Sequence, residues 1–83
     1  MYTIEILPKA IKDLADISSN YRELIAQHIN NLSENPRPPD AKKLKNDLGY
    51  SQRVGVYRIL YDIDDTDRKV IIYRVKHRRD AYR

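Results

Sequence analysis

The stretch from Gly49 to Ile63 constrains this chain more than any other. From Val56 it alternates: Tyr57, Ile59, Tyr61 and Ile63 fall on one side, and Val56, Arg58, Leu60 and Asp62 on the other. A period of two is the mark of a half-buried β-strand. Arg58 must then leave the strand through the face opposite the core, held by a sheet instead of a loop. Gly55 marks a turn, bulge or kink before the strand, because an interior glycine weakens a strand. One sheet face is built for packing, and the other displays a fixed cation.

The flanking segments supply what covers the packing face. Tyr2-Thr3-Ile4-Glu5-Ile6 alternates as a short first strand. Pro8 suits the first turn of a helix expected over about 8–18, with Ala10, Ile11, Leu14 and Ile17 as its apolar stripe. Asn20, with Glu23 three residues on, can cap a second helix. Its stripe is Tyr21, Leu24, Ile25, His28, Ile29 and Leu32, which makes His28 a core or boundary histidine. Asn35-Pro36 ends it. A stiff connector, 37–40, leads to a basic segment holding Lys42, Lys43 and Lys45, with Leu44 and Leu48 as anchors. Strands are expected over about 49–54, 56–63 and 69–76, the last two joined by the turn cluster Asp64-Asp65-Thr66-Asp67. In the last strand, alternation groups Ile71, Tyr73 and Val75 against Val70, Ile72, Arg74 and Lys76. The order β-α-α-β-β-β predicts one α+β domain over 1–83, an antiparallel sheet with a helical hairpin on one face.

Charge is unevenly placed. Arg68 to Arg83 carries seven basic residues and one acid, whereas the remainder carries nine basic and eleven acidic residues. So basic an end points to a polyanion or an acidic protein partner; a solvated strand edge that resists aggregation is the plainer explanation. There is no cysteine, and the two histidines lack the company of a zinc site. No apolar run spans a membrane and no signal peptide is present, so a cytoplasmic protein is expected.

Four pieces bring a family into view: Ala10-Ile11-Lys12-Asp13-Leu14, Lys43-Leu44-Lys45-Asn46-Asp47-Leu48, Arg53-Val54-Gly55-Val56-Tyr57-Arg58-Ile59-Leu60-Tyr61, and His77-Arg78-Arg79-Asp80-Ala81-Tyr82. Together they resemble the RelE/ParE superfamily of toxins from type II toxin–antitoxin pairs. The resemblance implies the fold above, a cognate antitoxin in a hetero-oligomeric complex, and no cofactor or metal. For the RelE branch it implies a metal-independent endoribonuclease that cuts mRNA in the ribosomal A site and arrests translation.

Cleaving RNA without a metal takes a base for the 2′-hydroxyl, cations for the phosphorane and an acid for the leaving oxygen. Arg58 is the first choice for the phosphorane, since a fixed guanidinium meets phosphate with two hydrogen bonds. The resemblance adds Arg53 and Arg78 as further cations. It gives Tyr82 a substrate-orienting role, by stacking or through its hydroxyl, and His77 one as acid or base. Lys42, Lys43, Lys45, Arg74, Lys76 and Arg79 are expected to contact RNA backbone. The chain departs from the family's basic-x-basic-x-G pattern at Ser51, where Lys45 or His77 could substitute, and its central strands carry no glutamate. Two other functions fit the same fold: a ParE-like inhibitor of DNA gyrase, and a basic RNA-binding protein without catalysis.

Overall fold

The computed structural model describes residues 1–79. The elements are β1 (Thr3–Ile6), α1 (Pro8–Ala15), α2 (Ser19–Asn31), β2 (Ala41–Lys43), β3 (Tyr50–Val54), β4 (Tyr57–Asp64) and β5 (Lys69–His77). They form the expected α+β arrangement of two helices on one face of a sheet, in strand order β1-β5-β4-β3-β2. The sheet is mixed, because β1 enters parallel to β5 while the other pairs are antiparallel. Two helices lie between β1 and the later strands, which gives the chain the crossover that parallel pairing needs. The three-residue β2, expected as connector, forms an edge.

The first helix starts where expected and ends about three residues early, at Ala15, and the second starts two residues early. Pro8 opens α1, and Ser18 instead of Asn20 stands at the N-cap of α2. The core joins Ala10, Ile17, Ile25, Ile29 and Leu32 of the helical layer to Val54, Ile59, Tyr61, Val70, Ile72 and Val75 of the sheet. Ile11 and Leu24, expected in the stripes, are exposed. His28 is half-buried and bonds the Leu24 carbonyl through Nδ1 at 2.9 Å. Tyr61 is fully buried and donates its hydroxyl to the Pro36 carbonyl at 2.8 Å. Burial pushes that phenol up to about 12, with the nearby Tyr50 and Asp40 adding to the rise.

The alternation in β5 changes phase. Val70 and Ile72 face the core together with Val75, and Ile71 and Tyr73 do not. The cause is a bulge: Leu60 pairs with Arg74 but Tyr61 pairs with Ile72, so Tyr73 is an extra residue on β5. One inserted residue moves all that follows to the other face.

Candidate nucleic-acid interface

The hairpin that carries Arg58 is set by two glycines. Val54 pairs with Tyr57, leaving Gly55-Val56 as a two-residue loop with Gly55 at φ +60°. A glycine at the first loop position is the tight-hairpin pattern whose twist suits the flanking strands. A side chain at Gly55 would also meet the Tyr21 ring of α2, its Cβ 2.7 Å from the nearest ring atom. Gly49, at φ +90°, admits β3 beside the Tyr61 carbonyl, which an added Cβ would approach to 2.4 Å.

This register makes a row. Arg53 is directly opposite Arg58, and Arg58 is directly opposite Lys76. Residues opposite one another in a ladder share a face, and this one is opposite the face of Ile59 and Val75, hence the outer face of the sheet. Arg58 is half-buried in mid-row, and Arg53 is exposed with its Nε donating to the Gly55 carbonyl at 3.0 Å. Like charges placed directly opposite are destabilising in a sheet. Three in line is therefore an arrangement that a bound polyanion would relieve.

The other expected site residues are spread around this row. Arg78 extends the ladder one step, its N–H donating to the Val56 carbonyl at 2.7 Å, and alternation returns it to the outer side. His77 does not join Arg58. It pairs with Tyr57, whose ring it meets edge to face at 5.7 Å, and Tyr57 meets Tyr21 of α2 at 5.2 Å. His77 thus sits on the helix side, its Nδ1 accepting from the Arg79 N–H at 3.3 Å. It lines a cleft of about 470 Å³ with Asp13, Asp16, Ile17 and Tyr57, beside the part of β5 that β1 does not cover. Tyr82 lies outside the described residues.

Arg74 is occupied elsewhere. Its guanidinium grips the Asp13 carboxylate of α1 at 2.8 and 3.1 Å. Arg79 is exposed beyond β5. The lysines of the basic segment divide: Lys42 is opposite Ser51 on the outer side, whereas Lys43 is opposite Tyr50 and shares the helix side with Ala41. Lys45 opens a 3-10 turn in which Asn46 and Asp47 are both left-handed. The Tyr73 hydroxyl donates to the Leu48 carbonyl and ties that turn to β5. Among the described residues, no three metal-ligating side chains gather to hold an ion.

The family described as the ParE toxin of the type II toxin–antitoxin system parDE matches residues 4–82. The chain belongs to this family. Within the family's circle of relatives, the toxin RelG of Mycobacterium tuberculosis is 35% identical over 85 residues, 99% of this chain and 97% of that protein. Among solved structures, a chain of the RelBE2 toxin–antitoxin complex of M. tuberculosis superposes with a TM-score of 0.82 at 32% identity, over 92% of this chain and 96% of that one. A chain of the archaeal RelE–RelB complex from Pyrococcus horikoshii gives 0.84 at 24% identity, over 96% and 98%, and shows the same fold. Two features had weak sequence signals. The Asp13–Arg74 pair joins residues 61 apart, and only the lysine-rich composition of 42–45 hinted at an edge strand, where such residues are common.

Proposed function

We propose that this toxin is a metal-independent endoribonuclease that cuts mRNA on the ribosome and arrests translation, in the cytoplasm, under the control of a cognate antitoxin. The observation that carries this reading is the cross-strand row Arg53–Arg58–Lys76. Cleavage at a phosphate builds negative charge on the phosphorane oxygens, and donors fixed before the reaction stabilise that charge without reorganising. Arg58, held in mid-strand, supplies the central guanidinium, with Arg53 and Lys76 flanking it and Arg78 at the row's end. His77 faces the helices, so the protons are moved by groups of the outer face or by the ribosome. The relatives from M. tuberculosis and P. horikoshii were solved as toxin–antitoxin complexes, which supports an antitoxin as the partner here.

The test is to incubate the protein with programmed ribosomes and map the 3′ ends of the mRNA. Cuts at defined codon positions that vanish in Arg58→Ala are expected. Intact mRNA combined with inhibited DNA gyrase would replace this reading with the ParE-like one.

A further inference from the structure

The lysines of the basic segment are alike in sequence and unlike in place. Lys42 and Lys43 are adjacent on β2, but Lys42 is in register with Ser51 on the outer face and Lys43 with Tyr50 on the helix side. Ser51 is in turn opposite Leu60, and Leu60 opposite Arg74, whose charge is spent on Asp13. In this second row the outer face therefore has one cation directed at solvent, Lys42, which is exposed. Ser51 is short and almost fully buried, and adds no charge to this row.

Sheet geometry sets what Lys42 can reach. Arg53 is its diagonal neighbour, one strand over and two residues along, with Cα atoms about 8 Å apart. Arg58 is two strands over and two residues along, about 12 Å away. Lys42 and Arg53 can close on one anion between them. Lys42 is therefore nearer to Arg53 than to Arg58, which favours an anion between the first two.

We infer that Lys42 and Arg53 form a second phosphate subsite, which binds the RNA backbone phosphate next to the one held at Arg58. This rests on the proposed ribonuclease function and adds a course for the substrate: the strand crosses the sheet from β5 toward β2. A contact away from the reacting phosphate holds ground state and transition state alike, so it sets KM and leaves kcat unchanged.

The experiment compares full-length wild type, Lys42→Gln, Lys42→Arg and Lys43→Gln on programmed ribosomes and on a single-stranded RNA oligonucleotide. Lys42→Gln should raise KM roughly tenfold, the worth of one charged hydrogen bond, with kcat intact. Lys42→Arg should keep wild-type values, and so should Lys43→Gln. On the oligonucleotide, Lys42→Gln should lower the salt slope of binding by about 0.7. Oligonucleotides with a single methylphosphonate then locate the contact. Neutralising one neighbour of the scissile phosphate should weaken wild type but cost Lys42→Gln nothing further, the sign of a shared interaction.

Equal effects of Lys42→Gln and Lys43→Gln would overturn the inference, since general charge would then explain both. A fall in kcat alone would overturn it, as would a change confined to ribosomes. If wild type leaves mRNA uncut, the ribonuclease reading fails. The subsite is still decided by the methylphosphonate scan of binding, where full additivity at every position rejects it.

Discussion

Asp13 of α1 takes two hydrogen bonds from the Arg74 guanidinium and a third from the backbone N–H of Val75, at 2.9 Å. The carboxylate thereby does two jobs. It pairs a charge of β5 that would otherwise add to the basic outer face, and it satisfies an edge N–H that β1 is too short to cover, since β1 ends opposite Ile72. The helical layer is pinned to the sheet at that point.

The pin makes the fold sensitive to acid. Burial pushes the Asp13 carboxyl up, but the Arg74 and Val75 hydrogen bonds with the charges of Arg74 and Lys76 outweigh it and hold the group below its ordinary value. Asp65, gripped by Arg37 and by the Tyr2 hydroxyl, is brought down to about 2. A carboxyl depressed in the folded state contributes stability above its unfolded value of about 3.9, lost as pH falls through the folded value. Urea midpoints should therefore hold steady down to about pH 4 and decline from there toward pH 2. Asp13→Asn should cost about 1–2 kcal/mol at neutral pH, because the pair is only partly shielded from water. A wild-type midpoint that is flat from pH 5 to pH 2 would remove both carboxylates from the account.

Arg53 should be a residue kept for function against stability. It stands opposite Arg58, and opposed like charges in a ladder cost about 0.2–1 kcal/mol. Arg53→Gln should raise Tm at low ionic strength, and the gain should shrink as salt screens the pair. The same variant should bind RNA less tightly. A Tm that falls, or a gain that ignores salt, would mean that the Nε bond to the Gly55 carbonyl outweighs the repulsion.

Alternation sufficed for the faces of β4, with Ile59 and Tyr61 in the core, although Leu60 on the other side is buried as well. It misled in β5, where one extra residue, Tyr73, reverses the phase, and no local property of Tyr73 announces it. The row containing Arg58 was half legible. That Arg58 faces away from the core follows from period two, whereas its opposition to Arg53 and Lys76 depends on hairpin register across three strands. His77 shows the limit most plainly. Nearness in sequence to Arg78 suggested one site, yet adjacent strand residues point to opposite faces, and His77 went to Tyr57.

Gly55→Ala tests the hairpin that sets this register. The substituted residue would hold a left-handed conformation at about 1–2 kcal/mol, and its Cβ would press on the Tyr21 ring. Tm should fall, by more than for Gly55→Ala combined with Tyr21→Ala once the separate cost of Tyr21→Ala is subtracted. Strict additivity of the two changes would show that backbone strain alone is responsible.

The separation of Arg58 from His77 by the thickness of the sheet yields the sharpest contrast. Arg58→Ala should lower ribosome-dependent cleavage by on the order of a hundredfold or more, the usual loss for one preorganised transition-state donor, while the protein unfolds cooperatively as before. His77→Gln should keep kcat within about threefold, a difference of under 1 kcal/mol in barrier. It should instead show its effect in stability, because the ring packs edge to face on Tyr57, a contact worth about 0.5–1.5 kcal/mol. Both variants are read by single-turnover cleavage on programmed ribosomes and by urea unfolding. Collapse of the chemical step in His77→Gln with an unchanged urea midpoint would return the histidine to the reaction, and would require the end of β5 to turn over when mRNA binds.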